Sequence, residues 1–118
     1  MLQLETEGKA IMRPLLVELG LPIEENKELR DQGLEIAEAF KNLSFKEQIQ
    51  NIHRSVSEIY LPQYEELATL VDEENTQAHF IAKFMGDHER AILQASENIL
   101  KGSNNPIEPI TKLLKFPI

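Results

Sequence analysis

The sequence predicts an all-α protein, an antiparallel bundle of four main helices, the third kinked or broken near Pro62, followed by a short C-terminal helix or tail. Three observations carry that prediction. Of the 20 acidic residues in the 118, 17 are glutamate and 3 aspartate, and Leu, Ala, Gln and Lys are plentiful while Val is scarce, a composition that favours helix over strand. Apolar residues recur at steps of three and four along successive segments. Helix-end signals fall between those segments, and the length suits one domain with a single core, residues 1–118.

The first segment carries Leu4, Ile11, Leu15, Leu16 and Leu19, with Gly20 placed as a C-terminal cap; Gly8 and Pro14 interrupt the pattern, so the helix end is better defined than its start. After Gly20-Leu21-Pro22, the series Leu29, Gly33, Ile36, Phe40, Leu43 marks one face of an amphipathic helix over about 24–42. Its outer face is acidic, with Glu24, Glu25, Glu28, Asp31, Glu35 and Glu38 against Lys27 and Arg30, the pattern of a solvated face.

Ser44 with Glu47 reads as a capping box and starts a third helix at Phe45. Its stripe is Phe45, Ile49, Ile52, Val56, Ile59, and it then slips by one to Tyr60, Tyr64, Leu67, Val71 around Pro62, where a kink or break is expected. Asp72 is the expected N-cap of the fourth and longest helix, with stripe Ala78, Ile81, Met85, His88, Ile92, Ala95, Ile99 and closure at Lys101-Gly102. Ser103 to Pro109 is a loop. Ile110, Leu113, Leu114, Phe116 and Ile118 then belong to a short helix or a tail laid over the bundle.

Net charge is −8, which repels a phosphate backbone and argues against nucleic acid and acidic membrane surfaces as partners. There is no cysteine, hence no disulfide or thiolate site, which suits a reducing compartment, and a cytoplasmic location is expected. Glu5 and Glu7 precede the first base, so the start lacks the positive region of a secretory signal, and the most apolar stretch, Leu15 to Ile23, is too interrupted to span a membrane.

His88 stands where the stripe calls for an aliphatic residue, and a buried imidazole needs a hydrogen bond or a ligand. If the third and fourth helices form a hairpin turning at Asp72, His88 faces Val56, with His53 and Tyr60 beside it. Ser57, Tyr64 and Glu89 lie near, which makes this the candidate ligand site: His53, Ser57, Tyr60, Tyr64, His88 and Glu89. The plainer reading of His88 is a core histidine bonded to a tyrosine, serine or carbonyl.

Several chemistries fail on spacing. No Glu-x-x-His pair precedes His53, His79 or His88, so a di-iron carboxylate bundle is not encoded, and His88-Glu89 lacks the second histidine of a zinc-protease helix, since that position is Ile92. Asn98 to Ser103 is similar to the His-x-x-Lys-Gly-Ser stretch of histidine phosphotransfer bundles, with asparagine in place of the phosphorylated histidine. There is neither a Gly-x-Ser-x-Gly elbow nor a glycine-rich phosphate loop, and no cofactor or metal set is specified. The expectation is a cytoplasmic, non-enzymatic binding or adaptor domain acting through helix faces on a protein partner or a second copy as a homodimer. The alternative is an internal small-molecule or metal pocket around His53, Tyr60, Tyr64 and His88, with His88 as acid or base and Glu89 as its orienter.

Overall fold

A computed structural model describes residues 1–116. The protein is all-α: α1 (Leu2–Glu18), α2 (Lys27–Lys41), α3 (Phe45–Ser55), a π-helical turn (Val56–Tyr60), α4 (Leu61–Leu70), α5 (Thr76–Leu100) and α6 (Glu108–Thr111). Since α3, the π turn and α4 follow without a gap, four main helices and one short C-terminal helix make up the fold. Ile118, counted above with the apolar tail, lies outside the described residues.

The helix ends follow the local chemistry. Gly20 and Gly102 are the positive-φ residues, at 69° and 72°. Each lets the amide of the following residue reach a carbonyl five residues back: Leu21 N–H to Leu16 and Ser103 N–H to Asn98. Ser44 Oγ accepts from the Glu47 amide while the Glu47 carboxylate accepts from the Ser44 amide at 2.8 Å, completing the capping box.

Two prolines are accommodated within helical segments, and two boundaries, the starts of α2 and α5, differ from expectation. α1 runs unbroken through Pro14 because Ala10 and Pro14 are both exposed, which leaves the carbonyl freed by the missing N–H on the solvent side. α2 begins at Lys27, three residues later than expected, because Asn26 caps it by accepting from the Leu29 amide. α5 is capped by Asn75, not Asp72; Asp72 instead accepts from the Glu74 amide at 3.0 Å and closes a turn ahead of the helix. Near Pro62 the expected irregularity takes the form of a π turn, with α3 ending at Ser55 and α4 starting at Leu61 without a gap between them. The Leu61 amide bonds to the Val56 carbonyl, five residues back, so one extra residue is wound into the turn before the proline. The one-residue slip of the stripe is that extra residue.

α5 is the axis of the bundle. Its Ile81, Met85, His88, Ile92 and Ala95 are all buried, as the stripe requires. α3 and α4 pack along one side of it and α1 along another, both antiparallel to it: Glu5 and Gly8 lie by His88 and Met85, and Ile11 lines a cleft with Phe80 and Ile81. α6 closes the far end, where Leu4, Val56, Ile92, Ala95 and Ile110 form one cluster with Leu113 and Leu114 packed on it. Burying each such aliphatic side chain contributes about 1.5–3 kcal/mol. The C-terminal segment is latched to α1 by Glu7, which accepts from the Lys115 amide at 2.8 Å and from Gln3 Nε2 at 3.0 Å.

α2 does not join this core. None of its residues is buried, and Leu29 and Ile36, from the stripe expected to pack inward, are 63% and 60% exposed. Its attachment is at the C-terminal end, where Gln48 Nε2 donates to the Phe40 carbonyl at 2.8 Å. The projection shows in the dimensions. The radius of gyration is 15.6 Å, whereas a compact chain of this length has about 13.5 Å.

Candidate functional site

His88 is 1% exposed, on the face of α5 that meets α1. Its Nδ1 lies 3.3 Å from Glu89 Oε1, its Nε2 lies 3.6 Å from Glu5 Oε1, and the Phe84 ring is tilted against it with centroids 6.5 Å apart. At 3.6 Å the Glu5 contact exceeds hydrogen-bond reach, so Nε2 is a buried polar atom without a partner. The imidazole is therefore bracketed by two carboxylates on its two nitrogens, one from its own helix and one from α1.

Beside it opens a cleft of about 390 Å³, walled by Glu5 of α1, Ile52 of α3, Tyr60 and Tyr64, and Met85 and Glu89 of α5. The π turn places the tyrosines there: the extra residue carries Tyr60 and Tyr64 into line with Ile52 and Val56, where an unbroken α-helix would favour Ile59. Ile59 and Tyr60 are equally exposed, at 48% each, and Tyr64 is the half-buried one. The Tyr64 phenol is pushed above its ordinary value, first by burial and then by the negative charge of Glu89 and Glu5.

Of the six residues singled out from the sequence, Tyr60, Tyr64 and Glu89 line this cleft, and His88 lies behind it against Glu89. His53 is elsewhere: its Nε2 lies 3.6 Å from Glu97 Oε1, on a stretch of α5 nearer the C-terminus. A hairpin turning at Asp72 would set His53 opposite Ala91, six residues earlier. The first five residues of α5, Thr76–Phe80, include none that is buried, so close packing starts only at Ile81 and the register moves along by that overhang. Ser57 also faces away, with Oγ donating to the Arg54 carbonyl at 3.1 Å, while Ser55 lines the cleft in its place.

Glu5 is the residue that sequence reasoning missed. The available signal was Gly8, one turn further along α1. A Cβ built there sits 3.9–4.0 Å from Met85 and His88, marking the face where α1 comes close to α5, and Glu5 shares that face. Among the described residues, no three of His, Asp and Glu gather as a metal-binding group, and no helix is long and apolar enough to cross a membrane.

A second candidate surface is α2, whose Leu29 and Ile36 project into solvent beside Gly33 and half-buried Phe40. Fold and surfaces together define a helical bundle that carries a largely apolar cleft edged by Glu5 and Glu89, and a projecting amphipathic helix. Compared with protein-family models, curated proteins and solved structures, the chain matches none of them.

Proposed function

We propose that this protein is a non-enzymatic binding module whose recognition element is α2, and that it self-associates through that helix. One observation carries the reading: a 15-residue helix with an apolar stripe has no buried residue. Most helical stability comes from packing an amphipathic face, so a helix this short holds its shape best when that face is covered. A second copy is the simplest cover, because two identical stripes related by a two-fold axis bury each other without further molecules. The exposed Leu19, Leu21 and Ile23 in the preceding connection extend the apolar surface beyond the helix. A protein partner presenting an apolar helix face would dock in the same manner. The cysteine-free, acidic chain suits work in the cytoplasm.

The test is light scattering and native mass spectrometry of the protein and of the double variant Leu29→Lys, Ile36→Lys. The expected result is a dimer that the double variant converts to a monomer, with the thermal midpoint of the diluted monomer unchanged, since exposed substitutions shift stability by no more than about 0.5 kcal/mol. A wild-type protein that stays monomeric at high micromolar concentration overturns self-association. A double variant that dimerises as before removes α2 from the interface.

A further inference from the structure

The far end of the bundle holds a separate pocket of about 120 Å³, with a wall from each of four helices. α1 supplies Leu4, α3 Ile49, α5 Ala95 and α6 Ile110, all of them buried. Met1 and Ile107, 52% and 45% exposed, stand at its mouth. No residue of α2 lines it, and only Met1, Ile52 and Ile92 are shared with the cleft beside Tyr60 and Tyr64.

The polar side chains in this wall are few and already engaged. Ser96 Oγ donates to the Leu93 carbonyl at 2.7 Å and Thr111 Oγ to the Glu108 carbonyl at 3.1 Å, each within its own helix. Gln3 Nε2 donates to Glu7 Oε1 at 3.0 Å and to the Phe116 carbonyl at 2.7 Å, so both of its amide hydrogens are used. None of these side chains has a donor left for an occupant. Met1 carries the terminal ammonium, and its exposure keeps that charge within reach of water.

A space of about 120 Å³ has room for several waters, but a water held inside a protein needs about two to four polar partners. Here it would meet hydrocarbon and a few acceptors. Left empty, the space deprives the side chains around it of dispersion contacts on one side. A neutral hydrocarbon restores those contacts and asks for no hydrogen bond. Size narrows the choice, since an apolar cavity of about 150 Å³ takes benzene. A carboxylate or phosphate would lack donors beyond the Met1 ammonium, and among the described residues a metal ion would lack a ligand set. We infer that this pocket binds a neutral hydrocarbon of about six carbons, the size of benzene, held by aliphatic side chains of α1, α3, α5 and α6.

The experiment is titration of the full chain with benzene, followed by amide chemical shifts and by the thermal midpoint, with pyridine and benzoate as comparison probes. Benzene is expected to reach half-saturation at about 1 mM or below, a modest affinity for a ligand of this size. The largest shifts are expected at Ala95, Ser96, Ile110 and Thr111, and the midpoint should rise with benzene concentration. Pyridine has the same shape but a lone pair that needs a donor, and it should bind at least about tenfold weaker. Ala95→Met, whose longer side chain fills the pocket, should weaken benzene by at least about tenfold. Thr111→Met fills it from a half-buried position and gives the same reading should the first variant not fold. Benzoate that binds tighter than benzene overturns the inference in favour of an acid held by the Met1 ammonium. Pyridine that binds as tightly as benzene reveals a free donor in the wall and overturns it too. Benzene that binds the folded variants as it binds wild type places the ligand elsewhere, and absence of saturable binding up to the solubility of benzene overturns it outright.

Discussion

Replacing His88 with leucine should make the protein more stable, which is unusual for a residue 1% exposed at the centre of the longest helix. A buried polar atom without a partner costs about 1–3 kcal/mol, and Nε2 is such an atom. Leucine has nearly the same bulk and removes that penalty. It also deletes the 3.3 Å contact between Nδ1 and Glu89, whose worth as a net hydrogen bond is about 0.5–1.5 kcal/mol, or more to a charged group. Glu89 lines the cleft and can take water in exchange. The balance is a gain of about 1 kcal/mol. At about 2.1 cal/mol/K of unfolding entropy per residue, a chain this long then melts about 4 °C higher. Urea denaturation followed by circular dichroism gives the free energy, and a thermal scan gives the midpoint. A loss of about 3 kcal/mol or more would refute the reasoning, because that is the cost of breaking a buried ion pair. It would mean that the ring is an imidazolium clamped by Glu5 and Glu89 together. The companion variant Glu5→Gln separates the cases: it leaves stability unchanged if Nε2 is orphaned and lowers it if the clamp exists.

Two further outcomes follow from the caps and latches. Ser44→Ala removes the side chain that accepts from the Glu47 amide and should cost about 1 kcal/mol, read as a lower urea midpoint with an unchanged slope. Glu7 is held below the usual carboxylate range by the Lys115 amide first and Gln3 next, so it binds its proton more readily in the unfolded chain than in the folded one. Its contribution is therefore present above the ordinary value of 4.5 and fades as pH falls through the lower folded value. Wild type and Glu7→Gln should differ in melting temperature at pH 7 and converge as the pH falls below the lowered folded value of Glu7, and the variant should lose amide-exchange protection at Lys115 at neutral pH.

Much of the fold could be read from the sequence because its signals are local. Ser44 with Glu47, Gly20 and Gly102 act within one turn of themselves, and the α5 stripe needs only a helix period. Even the π turn left a trace, as a one-residue slip between Ile59 and Tyr60. The parts that were misread depend on partners distant in the chain. A stripe reveals which side of α2 is apolar and says nothing about what covers it. The register of His53 against α5 depended on how far α5 overhangs its connection, which no side chain near Asp72 records. At the other end of that connection, Asp72 and Asn75 are both good caps, and the choice between them turned on a turn closed by Asp72 itself. Glu5 was hidden because a glutamate near a helix start is ordinary until another helix sets a histidine beside it.

The separation of α2 from the core has a consequence for how such a protein changes over generations. Residues that keep the bundle folded, on α1, α3, α4 and α5, are not those that α2 offers to solvent. Substitutions at Leu29, Gly33 or Ile36 alter the offered surface while leaving the folded population almost untouched, so drift and selection can act there without the usual conflict between keeping a shape and acquiring a new contact. The same independence makes α2 a natural cassette: its stripe can be rewritten for another docking helix on a scaffold that does not register the change.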